Sequence, residues 1–164
     1  MNLFPWLLFA HVFGAIIAFG ASFSTFPLLG AMSGKEPAHA NFGSRFGLVV
    51  SERVVRPLAI LQGITGVGLI LVAGIDLTKA LWLDVAIVIY LVALGYALFV
   101  QIPVGRRLVE LTSSGPPPTP AGAAAAPTGP PPELLATAGK ARRGGVLIAI
   151  LITIIVFLMV VKPF

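Results

Sequence analysis

The chain contains no cysteine. That absence removes disulfides, thiolate metal sites, iron–sulfur clusters and cysteine nucleophiles together. Histidine is nearly as scarce. His11 and His39 are the only two among 164 residues, too few for a multi-histidine zinc or copper site built from one copy. Charge is thin as well: Asp, Glu, Lys and Arg make up 10% of the chain, where a soluble domain carries about 25%. No GKS or GKT motif occurs. Gly63-Ile64-Thr65-Gly66 and Gly66-Val67-Gly68 therefore read as packing glycines, not as a phosphate loop.

What fills the chain instead is apolar residue, 57% of the total, gathered into four runs: Phe4–Leu29, Leu58–Leu77, Leu81–Val104 and Val146–Val161. A hydrocarbon layer of about 30 Å takes about 20 helical residues to cross, and none of these runs keeps a polar face of any width. The sequence predicts an all-α membrane protein. It is a four-transmembrane-helix bundle with an amphipathic cytoplasmic segment and a Pro/Ala-rich cytoplasmic loop. Residues 1–164 form one membrane domain, with spans at 4–33, 57–76, 80–104 and 140–162. The first run is read as an uncleaved span, because Met1-Asn2-Leu3 carries no positive charge and the run exceeds an h-region.

The charges that exist are placed unevenly. Lys35, Arg45, Arg53 and Arg56 follow the first run, and Arg106, Arg107, Lys140, Arg142 and Arg143 follow the third; only Lys79 and Lys162 fall on the other side. By the positive-inside rule both long connections are cytoplasmic and both termini lie outside. The expected location is a bacterial inner membrane. The basic segments suit anionic headgroups, so the expected partners are membrane lipids, with bound lipid, and not nucleic acid.

Several local patterns add detail. Ala10, Gly14, Ala18 and Ser22 recur every four residues, as do Gly145, Ala149 and Thr153. Such small-residue stripes let helices approach closely in lipid. Gly63, Gly66, Gly68 and Gly74 argue for a central second helix. The short Gly74–Thr78 link makes the second and third helices antiparallel neighbours. In 38–56, Phe42, Phe46, Val49, Val50 and Val54 share one face at helical spacing. That segment is an amphipathic surface helix or an inner extension of the second span, with a bend at Pro57. Residues 113–132 hold eight prolines and read as a disordered tether or a docking segment.

Polar groups inside a membrane are costly and are functional candidates by default. His11 lies roughly 10 Å into the first span at 1.5 Å per residue. It can bond a neighbouring helix, ligate haem or another porphyrin-like group, or handle metal or protons. A bis-histidine haem within one copy is excluded, since no second intramembrane histidine exists. Asp84 lies at similar depth in the third span, either as an interfacial carboxylate favoured by the helix dipole or as a hydrogen-bond partner of His11. Gln62 lies near the inner end of the second span. Thr65 and Thr153 can bond their own helix carbonyls.

These residues also carry a resemblance. Leu8-Phe9-Ala10-His11-Val12-Phe13-Gly14-Ala15, the stretch from Pro57-Leu58 to Thr65-Gly66, and Leu158-Met159-Val160-Val161-Lys162-Pro163 resemble the corresponding parts of small bacterial four-helix membrane proteins of unknown function. The first-helix histidine pattern is more distantly similar to copper-resistance membrane proteins of the CopD type and to the HemJ type of protoporphyrinogen oxidase. That likeness implies metal or haem at His11. The chain departs from both types in lacking their further membrane histidines.

Two functions follow as expectations. One is an accessory or structural subunit, without evident catalytic machinery, that packs against a larger respiratory or photosynthetic membrane complex or against itself. The other is a haem- or metal-binding membrane redox protein using His11. A transporter is the weaker third, for want of an internal repeat or polar lining.

Overall fold

The computed structural model describes residues 2–32, 37–113 and 129–163, with side chains throughout except at 26–32 and 37. Every regular element among the described residues is helical, with no strand. Four rods are long and apolar enough to cross a membrane. The first is α1, Phe4–Met32, started by Asn2, whose Oδ1 accepts the Phe4 backbone N–H at 3.2 Å. The second joins α2 (Pro37–Val50), a π-helical turn at Ser51–Val55 and α3 (Arg56–Ala73). The third joins α4 (Leu81–Tyr96), a π-helical turn at Ala97–Gln101 and α5 (Ile102–Ser113). The fourth is α6, Pro132–Val161. Most of the proline-rich tract, residues 114–128, lies outside the described residues.

A π turn precedes each of the two inner prolines, Pro57 and Pro103. Proline has no N–H, and its ring crowds the carbonyl four residues back, which ordinarily ends or kinks a helix. Here the residue before each proline donates five residues back instead: Arg56 N–H to the Ser51 carbonyl and Ile102 N–H to the Ala97 carbonyl. The wider turn lets Pro57 and Pro103 enter the first turn of the following helix. Segment 38–56 is therefore not a separate surface helix but the lower part of a 36-residue rod, Ala38–Ala73. The third rod likewise runs past residue 104 to Ser113, for 33 residues. At 1.5 Å per residue these rods are about 50 Å long, well beyond the hydrocarbon layer. At the other end α3 stops at Ala73. Gly74 takes φ +62°, left-handed backbone that closes α3.

Packing is tightest between α1 and α3 and between α4 and α6. The second and third spans, though joined by the short turn, meet through the Tyr90 side chain, whose hydroxyl donates to the Ala59 carbonyl at 2.8 Å. The buried positions are mostly small or medium: Ala18, Ala86, Ala93, Leu83, Ile152 and Leu158. Large apolar side chains point outward instead, with Phe99 81% exposed and Leu71 and Val160 nearly as open. In water each such side chain would forfeit about 1.5–3 kcal/mol of burial; lipid removes that cost.

The lower ends of the rods pack on one another beyond the spans. α2 lies against α5, and α5 against α6. Asn41 Nδ2 donates to Thr112 Oγ1 at 3.1 Å and to Ser113 Oγ at 2.9 Å. Arg106 pairs with Glu52 at 2.6 Å, and Arg107 with Glu133 at 2.6 Å and Glu110 at 2.9 Å. Gly43, Ser44 and Gly47 form the buried side of α2, so its small face packs inward. Phe42, Phe46 and Val49 face out, the two rings stacked at 6.3 Å.

Candidate functional site

The seam between α1 and α3 gathers three polar side chains, His11, Gln62 and Thr65. His11 sits in α1 where Gly66 of α3 leaves room: a Cβ added at Gly66 would stand 3.4 Å from His11 Cε1. One helical turn along α1, Gly14 faces Gln62. His11 Nδ1 lies 2.9 Å from Thr65 Oγ1. The Thr65 hydroxyl donates back to the Leu61 carbonyl at 2.9 Å, the usual outlet for a helical threonine. His11 Nδ1 and Thr65 Oγ1 are thus joined by a hydrogen bond across the seam, its direction following the imidazole tautomer. Thr65 is buried and His11 half-buried.

Asp84 is not brought to this seam. It lies in the first turn of α4, half-buried, where an acidic side chain faces the positive end of the helix dipole. A place in the same half of the bundle did not make the two groups neighbours, because His11 turns toward α3 and takes Thr65 as its partner. The hydrogen bond expected between His11 and Asp84 is replaced by His11–Thr65.

The packing residues divide. Gly14 and Ala18 are buried, Ala10 is half-buried, and Gly63 and Gly66 accept Tyr90 and His11 against bare backbone. On α6 the buried line passes through Gly144, Gly145 and Ile152; Ala149 is half-buried and Thr153 exposed. The stripe Gly145-Ala149-Thr153 therefore turns away from the bundle after its first member.

A second polar contact, absent from the sequence-based expectations, lies at the lower π turn. Gln101 Nε2 donates to the Ala141 carbonyl at 2.9 Å. Its Oε1 is buried with no partner among the described residues. A Cβ at Gly144 would collide with that oxygen and stand 2.7 Å from the Tyr96 hydroxyl. The signal in the sequence was Gln101 just before Ile102-Pro103, opposite the Gly144-Gly145 pair.

At the opposite end, Lys162 Nζ lies 5.2 Å above the Trp82 ring, which places the tops of α4 and α6 at one level. Asp76, in the turn outside the spans, accepts the Thr78 hydroxyl at 2.7 Å and its backbone N–H at 3.1 Å. With Lys79 also beside it, these donors hold its carboxyl below the usual range. Among the described residues no group of three or more His, Asp or Glu side chains is placed to hold a metal ion.

The intramembrane polar side chains thus act pairwise across helix seams: His11 with Thr65, Tyr90 with Ala59, Gln101 with Ala141. Such bonds average about 0.6 kcal/mol in lipid and reach about 2. No curated protein and no solved structure matches the chain. Over residues 5–163 it matches the family described as "Predicted integral membrane protein (DUF2269)", and the chain belongs to that family of integral membrane proteins.

Proposed function

We propose that this membrane protein is an accessory subunit that packs against a larger integral membrane assembly. The observation that carries the reading is the outward stripe Phe42, Phe46 and Val49 on the lower end of the second rod. About 20 residues cross the hydrocarbon, and counting down from Ala73 places the crossing near Arg53. Phe46 then lies about 10 Å lower and Phe42 about 16 Å lower, past acyl chains and most of the headgroup layer. Phe42 is 61% exposed and Phe46 43%. Stacked aromatic rings left in water at that level favour a protein partner. The pairing of intramembrane polar groups into helix-to-helix staples supports a scaffold role.

The arginine-bearing ends lie in the cytoplasm of a bacterial cell in this reading, and both termini lie outside, by the nine-to-two division of basic residues. The test is native purification from the source membrane in mild detergent, with partners identified by mass spectrometry. Phe42→Ser/Phe46→Ser should release the partner while the bundle keeps its melting temperature. A wild-type chain that purifies quantitatively as a lone monomer overturns the proposal.

One observation favours a second reading, a haem- or metal-binding protein. Nδ1 of His11 is held by Thr65, as in a ligating histidine that has one ring nitrogen fixed by a neighbouring side chain. A Soret band lost in His11→Ala would support it, and a colourless native preparation without bound metal would remove it.

A further inference from the structure

Two shallow clefts follow one another along α6. The lower, about 380 Å³, is lined by Gly139, Arg142, Arg143 and Val146. The upper, about 410 Å³, is lined by Val146, Ala149, Ile150, Thr153 and Ile154 of α6 and by Phe23 of α1. They share Val146, so they form one groove from the basic end of the span upward. α1 and α6 approach each other only sparsely, which leaves the groove open to the membrane.

The two halves have opposite chemistry. Below, Arg142 and Arg143 are exposed. The described glutamates at this end, Glu52, Glu110 and Glu133, pair with Arg106 and Arg107, so neither cleft arginine has a carboxylate among the described residues. Above, the wall is apolar. Ala149 is small, and the Thr153 hydroxyl is turned into its own helix, donating to the Ala149 carbonyl at 2.8 Å. From Arg142 to Ile154 the groove rises about 18 Å, close to the roughly 15 Å depth of one hydrocarbon leaflet.

We propose that this groove binds an anionic glycerophospholipid from the adjoining leaflet. Its phosphate lies between the Arg142 and Arg143 guanidinium groups, and one acyl chain lies along Val146, Ala149 and Thr153 against Phe23. Guanidinium forks suit phosphate oxygens, and Arg142 and Arg143 supply two unneutralised charges at headgroup level. The site is distinct from the Phe42–Phe46 stripe and does not depend on the accessory-subunit reading. Arg53 and Arg56 provide an internal comparison, because they are also exposed near the same level but border neither cleft.

The experiment uses the full chain, delipidated in mild detergent and titrated with phosphatidylglycerol or phosphatidylcholine in mixed micelles. Retained lipid is counted by native mass spectrometry, and melting temperature is read in parallel. Phosphatidylglycerol should bind with a stoichiometry near one and raise the melting temperature. Arg142→Gln/Arg143→Gln should bind about 30-fold more weakly, the effect of two surface charges, and Arg142→Lys/Arg143→Lys should keep most of the affinity. Ala149→Trp, which fills the apolar half without changing charge, should weaken binding as well; Thr153→Phe does the same if the tryptophan variant fails to fold. Arg53→Gln/Arg56→Gln should bind normally. Equal loss in that last variant overturns the proposal in favour of diffuse attraction to the basic end. Equal binding of phosphatidylcholine overturns it too, as does unchanged binding when the groove is filled. Millimolar inorganic phosphate that stabilises the chain as much as the lipid does assigns the arginines to a free anion and removes the lipid.

Discussion

His11 and Thr65 face each other across the α1–α3 seam, with Nδ1 2.9 Å from Oγ1. The contact joins the first two spans in the half of the bundle where Gly66 lets the backbones come close. Thr65→Val keeps the shape and β-branching but deletes the hydroxyl, leaving His11 Nδ1 without its Thr65 partner. It should destabilise the protein by about 1 kcal/mol, and Thr65→Ser should cost less. Tyr90→Phe removes a separate staple, from α4 to the Ala59 carbonyl of α3. The two losses should add, because they share no partner. Thermal unfolding in detergent of the single and double variants measures both; a double variant no worse than either single would mean that the two bonds are not independent.

At Gly144 the third rod lies close against the fourth, with Gln101 and Tyr96 over the bare backbone. Gly144→Ala must displace Gln101, which cannot move without releasing the Ala141 carbonyl. The substitution should lower the melting temperature, and Gln101→Ala in the same chain should recover most of the loss. Gly20→Ala meets nothing within 4 Å and should be neutral or mildly stabilising, as alanine is the better helix former. A Gly144→Ala protein as stable as wild type would show that the side chains repack freely there.

Asp76 confers a pH dependence whose sign is set by its environment. Its folded-state pKa is lowered, first by the Thr78 hydroxyl and then by the Thr78 N–H. A lowered carboxyl pKa contributes stability that is fully present above the unfolded value near 3.9 and is lost as pH falls through the folded value. The protein should therefore lose stability on acidification below about pH 4. Asp76→Asn should flatten the part of the acid limb that this fully exposed carboxyl supplies. Melting curves from pH 7 to pH 3 for both proteins provide the comparison, and superimposable acid limbs would rule the contribution out.

The absence of cysteine makes the orientation directly measurable, since any cysteine introduced is the only thiol. Thr78→Cys, in the outer turn, should react with an impermeant maleimide on intact cells. Ser113→Cys, at the end of α5, should react only after the membrane is opened. The reverse pattern would invert the proposed topology while leaving the fold untouched.

The spans were legible because lipid asks for little beyond length and apolarity, and those are properties of composition. The site was legible only in part. His11 stood out as the one histidine within a span, and its depth along the helix could be counted. Depth says nothing of azimuth, however, so Asp84 looked as suitable a partner as Thr65, and a threonine able to bond its own helix gave no sign of the second contact. The glycines of α3 announced close packing, yet Gly144 mattered through Gln101 and Tyr96, both from another rod. The aromatic face of α2 could be read from spacing, but its direction could not. The small residues Gly43, Ser44 and Gly47 took the inward side, where the lower rods pack against one another.

Each of the two π turns spends one residue more than an α turn over the same rise. An inserted residue rotates everything below it by about 100° about the rod axis. The lower ends of the second and third rods are thus phase-shifted against their spanning parts, and a face followed by α periodicity through Ser51–Val55 or Ala97–Gln101 emerges on the wrong side. Shortening either turn by one residue would unwind that offset and swing the lower end as a unit. Glu52 would be carried away from Arg106 in the one case, and Arg107 from Glu133 in the other.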